Sequence, residues 1–347
     1  MKAVYIQSQG DVNVLQYGDL PDPVIGPGEV KVRVRACALN RLDVFTRLGV
    51  RGTKREFKEP FIPGVDVAGD VTEVAPGVRN VKVGDRVVLN PVVACLQCWQ
   101  CLSGRQDLCE GRRGMLGSAG MRGGYAEYTK APAANALPIP PSLTYEQAAA
   151  MPTTYMPVWN IVVRRAQLRA WETVLALSAS SGVGTAAVQV AKGVVGARVI
   201  ATTSSPEKAA KAKEIGADHV INYKTEDIAE RVKEITGGRG ADVVVDHVGA
   251  DFWDKATASL ARGGRYGVCG VTTGYRVQFH MGELFSKQLT YFGVTMGSMN
   301  DLREAVDAAG RGLVKPVIDR TFLLSQAKEA HTVMEETNFF GKLLLIP

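Results

Sequence analysis

Residues 173–185, which read TVLALSASSGVGT, decide the fold of this 347-residue chain. The apolar run Thr173–Leu177 predicts a buried strand, and residues 183–194 carry apolar side chains at helical spacing. Small residues in the turn between them would let the backbone approach a pyrophosphate, and the start of the helix would present its N–H groups. Only Gly184 matches the usual G-x-G-x-x-G pattern, so a plain tight turn is the alternative. The cofactor-binding residues predicted for this turn are Ser181, Gly182, Val183 and Gly184.

Strands and helices alternate along the rest of this part of the chain. Serine and proline at 205–206 predict the start of one helix, and Asp227–Ile235 is predicted to be another. Such alternation is typical of a parallel sheet with helices on both faces. We therefore predict an α/β fold with a doubly wound parallel sheet of six strands, as in a Rossmann dinucleotide-binding domain. The predicted strands are Thr173–Leu177, Arg198–Thr202, His219–Tyr223, Asp242–Val248, Arg265–Cys269 and Leu289–Val294.

The remainder of the chain is predicted to be rich in β-strands. Val30–Ala36 alternates apolar and charged residues, which is typical of a half-buried strand. Turns with glycine and proline divide the first part of the chain into short strands. The chain ends in a predicted helix, Leu302–Gly310, and a closing strand, Lys342–Ile346. We therefore predict one domain from residues 1–153 and 296–347, and a dinucleotide-binding domain from residues 154–295.

The end of the second strand of the predicted sheet bears on the choice of nucleotide. NAD-binding domains place an acid there, about 20 residues after the glycine turn, to hold the ribose hydroxyl. This chain instead has Thr202–Ser205, with Lys208 in the following helix. Because hydroxyl groups and a cation suit a 2′-phosphate, we predict NADP(H) as the cofactor. The residues predicted to bind it are Thr203, Ser204 and Lys208, although Ser205 could simply cap the helix and Lys208 could be a surface residue.

Four of the six cysteines lie within residues 95–109. The spacing Cys95-x-x-Cys98-x-x-Cys101-x7-Cys109 lets four thiolates surround one Zn²⁺ and leaves no position for a substrate. We therefore predict one structural zinc ion per chain, in a lobe of about residues 92–112. An iron–sulfur cluster is the rival interpretation, because the first three spacings resemble those of a ferredoxin. Disulfides are disfavoured if the protein is cytosolic.

Composition and charge argue against several other classes of protein. The net charge is +6, which would suit a polyphosphate cofactor as well as a nucleic acid. The basic residues are scattered, so nucleic-acid binding is the weaker interpretation. No apolar run reaches the roughly 18 residues of a membrane span, and Met1–Ile6 lacks the features of a signal peptide. We expect a cytoplasmic protein whose partner is a small molecule.

These motifs together resemble the medium-chain dehydrogenase/reductase superfamily, which includes zinc alcohol dehydrogenases and quinone oxidoreductases. The resemblance covers essentially the whole chain, from the N-terminal half to the closing Gly341-Lys342. It implies a GroES-like, β-rich catalytic domain in addition to the Rossmann domain. It also implies two cations that offset the charge of the cofactor diphosphate, and residues that flank the nicotinamide. The cofactor residues predicted in this way are Arg41 and Lys342 at the diphosphate and Val248, Gly270 and Val271 at the nicotinamide, and Tyr223 is a further candidate.

The chain departs from the zinc alcohol dehydrogenases at the catalytic metal. Those enzymes hold a zinc ion with a Cys after the first long strand, a His in a Gly-His-Glu motif and a third ligand near the domain junction. Here the matching positions read Asn40, Gly64-Val65-Asp66 and Met151–Tyr155. Because Asn and Val cannot replace Cys and His as zinc ligands, we predict that no metal takes part in catalysis.

The chemistry that this leaves is hydride transfer assisted by hydrogen bonds. A quinone or an enone accepts hydride more easily than an isolated ketone does, because the incoming charge delocalises. One donor to the oxygen is worth roughly 3–4 kcal/mol in oxyanion holes. Asn40 is predicted to be that donor, although it could instead brace its loop or contact the nicotinamide ribose. Thr153, Thr154 and Tyr155 are the predicted proton donors, although any of them could simply line the pocket and Tyr155 could be a core residue.

The sequence thus predicts an NADP(H)-dependent oxidoreductase that acts without a catalytic metal on a quinone, an enone or a bulky hydrophobic ketone. One alternative is an alcohol dehydrogenase of narrow specificity. Another is an NADPH-binding protein with a structural or RNA-binding role. The strand Gln288–Val294 closes the sheet with an edge that can pair with a second subunit, so we expect a homodimer or homotetramer.

Overall fold

A computed structural model describes residues 1–118 and 120–347 of the chain. It contains two compact units. The first comprises Met1–Thr153, Ser298–Gly310 and Pro316–Pro347, and the second comprises Thr154–Gly297 and Arg311–Lys315. Each unit has its own sheet and its own hydrophobic core.

The strands and helices of the described residues are numbered in chain order. The strands are β1 (Lys2–Tyr5), β2 (Gln16–Asp19), β3 (Glu29–Ala38), β4 (Asp66–Val74), β5 (Arg86–Leu89), β6 (Val92–Val93), β7 (Gly114–Leu116), β8 (Gly120–Met121), β9 (Tyr128–Pro132), β10 (Ala136–Pro138), β11 (Thr173–Ala176), β12 (Arg198–Thr203), β13 (His219–Asn222), β14 (Ala241–Asp246), β15 (Leu260–Val268), β16 (Thr290–Gly293), β17 (Ile318–Leu323) and β18 (Lys342–Ile346). The α-helices are α1 (Arg41–Leu48), α2 (Trp99–Leu102), α3 (Tyr145–Ala149), α4 (Tyr155–Trp159), α5 (Gly182–Gln189), α6 (Pro206–Glu214), α7 (Ile228–Ile235), α8 (Ala250–Ala258), α9 (Met281–Lys287), α10 (Met299–Gly310) and α11 (Ala327–Glu336). Short 3₁₀-helices are Val12–Val14, Gln106–Leu108, Ala133–Asn135 and Leu324–Gln326, and π-helical turns Asn160–Arg165 and Val190–Val195 extend α4 and α5.

The first unit is built around a mainly antiparallel sheet in the order β10-β5-β4-β3-β18-β17, with β9 also paired to β3. Strand β3 alternates buried and more exposed residues, as its sequence predicts. Ala38 at the end of β3 lies opposite Asp66 of β4, and Leu344 of β18 also pairs with Ala38. This register brings Asn40, Asp66 and Lys342 to the same end of the sheet.

The second unit contains a parallel sheet of six strands in the order β13-β12-β11-β14-β15-β16. This confirms the predicted fold class. The chain runs outward from β11 through β12 to β13, then returns to add β14 on the other side of β11. Ligands of such sheets bind outside the carboxyl ends of the strands where the order reverses, here between β11 and β14.

Side-chain caps fix the starts of the helices in this unit. Ser181, Ser205 and Asp227 accept hydrogen bonds from backbone N–H groups in the first turns of α5, α6 and α7. The helix α8 ends at Ala258. Leu260 begins β15, where it pairs with Ala241 of β14.

Residues 311–315 lie in the second unit, whereas the sequence assigned them to the first domain. The side chain of Gln189 donates to the carbonyl oxygen of Lys315 (2.8 Å) and accepts from its N–H (2.5 Å). Gly193 lies against Leu313, where an added Cβ would come within 2.1 Å of the Leu313 carbonyl oxygen. These contacts join residues far apart in the chain, so a local sequence pattern does not reveal them.

Within the part of the chain that the structure describes, no helix has both the length and the apolar character needed to cross a membrane.

Candidate functional site

The four clustered cysteines surround the short helix α2, for which Cys98 is the N-cap. The Sγ atoms of Cys95, Cys98, Cys101 and Cys109 all lie within 4.8 Å of one another. Among residues 1–118 and 120–347, this is the one group of three or more His, Cys, Asp or Glu side chains placed to hold a metal ion. All six cysteines of the chain are free thiols, so the cluster contains no disulfide.

The geometry of this cluster fits a tetrahedral zinc ion. Zinc–sulfur bonds of about 2.3 Å place tetrahedral sulfurs about 3.8 Å apart, and the Sγ atoms of Cys95 and Cys101 are 3.9 Å apart. Backbone N–H groups point at the sulfurs, from Cys98 to Cys95 (3.3 Å) and from Cys95 to Cys109 (3.2 Å). Such N–H donors lower the pKa of Cys95 to about 6 and so favour the thiolate that a metal needs.

A second polar cluster forms at the end of the main sheet in the first unit. Asn40 precedes α1, Asp66 opens β4, Lys342 opens β18, and Thr153 is the last residue of this unit before the chain leaves it. Asp66 and Lys342 are buried, whereas Asn40 and Thr153 are half-buried and remain partly open to solvent. We call these four residues the Asn40 cluster.

Hydrogen bonds fix the orientation of the Asn40 amide. Its Nδ2 donates to Asp66 Oδ2 (2.9 Å) and to the carbonyl oxygen of Ala38 (3.3 Å). Its Oδ1 accepts from Lys342 Nζ (2.5 Å) and lies 2.5 Å from the Thr153 hydroxyl. Because a carboxylate only accepts and an ammonium only donates, the amide cannot be turned the other way. Both amide hydrogens are thus directed at protein oxygens in this structure.

The Thr153 hydroxyl has two acceptors within reach but only one hydrogen. Its Oγ1 lies 2.5 Å from Asn40 Oδ1 and 2.5 Å from Asp66 Oδ2, so it donates to one of them at a time. The Thr153 N–H also donates to Asp66 Oδ1 (3.1 Å). Asp66 therefore holds the backbone of Thr153, while the hydroxyl is within reach of both Asp66 and Asn40.

Lys342, the second cation predicted for the diphosphate, lies within the Asn40 cluster. Its Nζ donates to the Leu39 carbonyl oxygen (2.7 Å) and to Asn40, and lies 3.5 Å from Asp66 Oδ2. The side chain is only 5% exposed. The pairing of β18 with β3 places this ammonium at the end of the main sheet, beside Asn40.

Burial shifts the pKa values of the acids and of the base in this region in opposite directions. It raises the pKa of Asp66, while the Lys342 ammonium and the Thr153 and Asn40 donors work against that rise. It also lowers the pKa of Lys342. Asp43, in α1, accepts from the N–H groups of Asn40 (2.8 Å) and Gly64 (3.2 Å), and burial raises its pKa to about 7.

Two other predicted residues have different surroundings. Arg41 is half-buried at the first position of α1. Tyr155, in α4 of the second unit, is buried, and its hydroxyl has no hydrogen-bond partner among the described residues. Burial raises the pKa of Tyr155 above its usual value, which opposes release of its proton.

The glycine turn of the second unit opens α5 at the carboxyl end of β11. The Ser181 hydroxyl accepts from the Gly184 N–H (2.9 Å) and donates to the Ser178 carbonyl oxygen (2.9 Å). Gly184 has no space for a side chain, because a Cβ would lie 2.1 Å from the Ser178 carbonyl oxygen. The N–H groups of Gly182 and Val183 stand at the helix start, where a helix offers no acceptor of its own, so an anion fits there.

His247 is a residue to which the sequence assigned no role. It follows β14, and its Nε2 lies 2.5 Å from the Ser181 hydroxyl that follows β11. The two side chains thus meet where the strand order reverses. Burial lowers the pKa of His247 to about 4, so the imidazole is neutral near pH 7. A polar residue near the carboxyl end of the predicted strand Asp242–Val248 was the signal that could have revealed it.

The remaining predicted cofactor residues lie at the carboxyl ends of neighbouring strands. Val248 follows β14 and is buried, whereas Val271 is 36% exposed. Gly270 lies against His247, since a Cβ there would be 2.9 Å from the His247 carbonyl oxygen. Tyr223 donates its N–H to the Thr203 carbonyl oxygen (3.0 Å), which places it next to the end of β12.

A carboxylate that the sequence-based prediction did not consider lies in the first turn of α6, the helix that follows β12. Ser205 caps α6 by accepting from the Lys208 N–H (3.3 Å), and Thr203 is buried. Ser204 and Lys208 are half-buried. Glu207 is exposed in the first turn of α6, where a hydrogen bond from Ser205 lowers its pKa. Hydroxyl groups, a cation and an anion therefore all lie near the position that the sequence predicts to bind the ribose.

Comparison with known proteins agrees with this architecture. Residues 26–141 match the alcohol dehydrogenase GroES-like domain, and residues 182–311 match the zinc-binding dehydrogenase family. A crystal structure of an NAD-dependent alcohol dehydrogenase superposes with a TM-score of 0.94 at 41% identity, covering 100% of both chains. An alcohol dehydrogenase of Geobacillus stearothermophilus is 36% identical over 310 residues, 88% of either chain. A quinone oxidoreductase of Pseudomonas aeruginosa is 31% identical over 358 residues, covering 100% of this chain and 99% of its own.

The fold and these relatives define an oxidoreductase with a GroES-like domain and a dinucleotide-binding type of sheet. The chain belongs to the medium-chain dehydrogenase/reductase superfamily, which confirms the family predicted from the sequence.

Proposed function

We propose that this oxidoreductase uses NADP(H) to reduce a quinone, an enone or a bulky hydrophobic ketone, with hydrogen bonds in place of a catalytic metal. The observation that carries the proposal is the Asn40 cluster. Where zinc relatives are expected to have Cys and His, this chain has an amide and Val65, and an ammonium lies 2.5 Å from the amide oxygen. Such a cluster binds and orients a carbonyl oxygen with N–H and O–H donors.

Asn40 and Thr153 are the proposed catalytic residues. The Asn40 bond to the Ala38 carbonyl oxygen, at 3.3 Å, is longer than the common N–H···O distance of about 2.9–3.0 Å. That hydrogen is therefore the one that Asn40 can redirect to a substrate oxygen, while its bond to Asp66 stays in place. Thr153, half-buried and held by Asp66, is proposed to donate the proton. Tyr155 is the weaker candidate for this role because its pKa is raised.

The second unit is proposed to hold the cofactor, and a bound nicotinamide would supply the hydride. The N–H groups of Gly182 and Val183 suit a diphosphate, and the tight packing at Gly184 lets the helix start come close to it. Arg41 is proposed to add a cation to the same group. Further residues proposed to contact the cofactor are Ser181, Val248, Gly270 and Val271 near the turn and Thr203, Ser204, Lys208 and Tyr223 near the adenosine ribose.

The proposed preference for NADP(H) leads to a prediction about Lys208. Replacing Lys208 by methionine should raise KM for NADPH by about tenfold and leave KM for NADH within about twofold, because only the former has a 2′-phosphate for the cation to attract. The matched variant Glu207→Gln removes the neighbouring anion and should lower KM for NADPH. Steady-state kinetics with both nucleotides tests the pair. A wild-type enzyme that prefers NADH would reject the proposed cofactor.

The four cysteines are proposed to hold one structural zinc ion. Four thiolates would complete its coordination, so it would have no open position for a substrate. Its role would be to fix the loop that contains α2.

An alcohol dehydrogenase of narrow specificity is the second candidate function, and the names of the relatives favour it. A substrate panel followed by NADPH absorbance separates the two. Quinones and conjugated enones should be turned over with kcat/KM at least about tenfold above that of simple aliphatic and benzyl alcohols with NADP⁺. Faster turnover of simple alcohols would favour the second candidate.

We also propose that the protein is cytoplasmic and forms a homodimer or homotetramer. β16 lies at the edge of its sheet, and the exposed apolar residues Met281 and Phe285 precede it in the chain. Light scattering coupled to size-exclusion chromatography would test the oligomeric state, and a monomer at micromolar concentration would reject it.

A further inference from the structure

We propose that Lys342 is a positioning residue whose ammonium acts on the substrate oxygen through the Asn40 amide, and that it does not bind the cofactor diphosphate. This inference rests on the proposed function, because it assigns a role within the same site. It assigns different roles to Arg41 and Lys342, although the family resemblance predicts that both contact the cofactor diphosphate.

The hydrogens of the Lys342 ammonium are already used within the first unit. An ammonium has three hydrogens and no acceptor. Three oxygens surround Nζ: the Leu39 carbonyl at 2.7 Å, Asn40 Oδ1 at 2.5 Å and Asp66 Oδ2 at 3.5 Å. A diphosphate oxygen would therefore have to displace one of these bonds at a side chain that is 5% exposed.

The sheet itself fixes the position of this lysine. Leu344 and Leu345 of β18 pair with Ala38 and Cys37 of β3, and the Leu39 N–H donates to the Leu343 carbonyl oxygen (2.8 Å). Lys342 is therefore level with Asn40 at the end of two paired strands. The register of β18 thus fixes where this side chain begins, and the acceptors around Nζ hold its ammonium beside Asn40.

Carboxyl groups lie close to the buried ammonium of Lys342. Asp66 is fully buried beside it, and Asp43 contributes a second nearby carboxyl group. A buried charge without a partner is strongly unfavourable, so the ammonium and the Asp66 carboxylate stabilise each other. Both also hold the same amide, the ammonium at its oxygen and the carboxylate at its nitrogen.

This arrangement strengthens the donor that Asn40 offers. A positive charge at Oδ1 draws electron density from the amide, and hydrogen bonds in series polarise one another. The Nδ2 hydrogens become more positive, so they bind a developing oxyanion more tightly than a neutral amide alone would. A metal ion polarises a carbonyl by direct contact, whereas here one amide group stands between the positive charge and the substrate.

The test compares Lys342→Met with Arg41→Met in the full-length protein. NADPH affinity is measured by fluorescence titration, and the hydride-transfer rate by single turnover with a conjugated enone at saturating NADPH. We expect Lys342→Met to keep Kd for NADPH within about threefold and to lower the rate at least about 30-fold. Arg41→Met should instead raise Kd at least about tenfold, because Arg41 is the cation proposed for the diphosphate. A Lys342→Met protein whose Kd rises about tenfold at an unchanged rate would overturn the proposal.

A double variant tests whether Lys342 acts through Asn40. If it does, adding Lys342→Met to Asn40→Ala should lower the rate by less than about threefold more, because the amide that carries the effect is already gone. Losses that multiply would show that the ammonium acts independently, and the proposal would be wrong.

Two further measurements keep the test decisive if Lys342→Met folds poorly. Lys342→Met combined with Asp66→Asn removes both buried charges, so it should fold while keeping the normal Kd and the reduced rate. Lys342→Arg keeps a cation and should recover part of the rate. A double variant with a normal rate would overturn the inference alone, whereas a wild-type protein that binds no NADPH would overturn the proposed function first.

Discussion

Replacing Asn40 by alanine is expected to lower kcat for an enone or a quinone by about 100- to 1,000-fold, the range found when one donor is removed from an oxyanion hole. The backbone N–H of residue 40 donates to Asp43 Oδ2 (2.8 Å), and Asn40→Ala keeps this bond at the start of α1. KM for NADPH should stay within about twofold, because the amide is proposed to act on the developing oxyanion and not on the nucleotide. Single-turnover and steady-state kinetics with NADPH measure both values.

Two matched variants separate this effect from a general loss of structure. Asn80 also lies in the first unit and donates from Nδ2 to the Ala133 carbonyl oxygen (2.7 Å), so Asn80→Ala removes a similar bond outside the site. Its kcat should equal that of the wild type. Thr153→Val keeps the shape of Thr153 but loses the hydroxyl, and it should also lower kcat. An Asn40→Ala enzyme whose kcat is within about threefold of the wild type would exclude Asn40 as the donor.

Replacing Cys109 by serine is expected to release the metal and to destabilise the first unit by more than about 4 kcal/mol, the size of effect that loss of a bound metal can cause. Cys109 is buried, and its Sγ accepts the Cys95 N–H (3.2 Å), so its loss disturbs both the metal and the loop. A change of that size should lower Tm by roughly 8 °C or more for a unit of this length. Metal analysis of the wild type should give about one zinc per chain.

Cys269→Ser is the control for the cysteine cluster. Cys269 is a free thiol in the second unit and lies outside the cluster, so its replacement should leave the zinc content unchanged. Two zinc ions per chain in the wild type would contradict the proposed metal-free catalysis. Iron in place of zinc would favour the iron–sulfur interpretation of the same spacing.

Local sequence patterns predicted the features that depend on neighbouring residues. The strand, small-residue turn and helix of residues 173–194 form β11, the turn at Ser181 and α5, because apolar periodicity and capping act over only a few positions. The cysteine spacing likewise brings four sulfurs within 4.8 Å of one another, since a single short loop carries them. The alternation of strands and helices was sufficient for the six-stranded parallel sheet.

Features that depend on distant residues were not accessible in this way. Asn40 and Lys342 are 302 positions apart, and only the pairing of β18 with β3 brings the ammonium to the amide. The contact of His247 with Ser181, and the packing of Arg311–Lys315 with the second unit, arise in the same manner. A sequence motif can indicate that a lysine lies near a site, but the position of its ammonium group depends on which buried acceptors surround it.

The sequence by itself therefore determined the family, the parallel sheet and the metal-binding loop, because each is encoded in short segments whose residues interact with their neighbours in the chain. The tertiary structure decided how the polar groups of the Asn40 cluster are paired. Hydrogen bonds among Asn40, Asp66, Thr153 and Lys342 join four separate segments, and their geometry exists only once β3, β4 and β18 are aligned in one sheet.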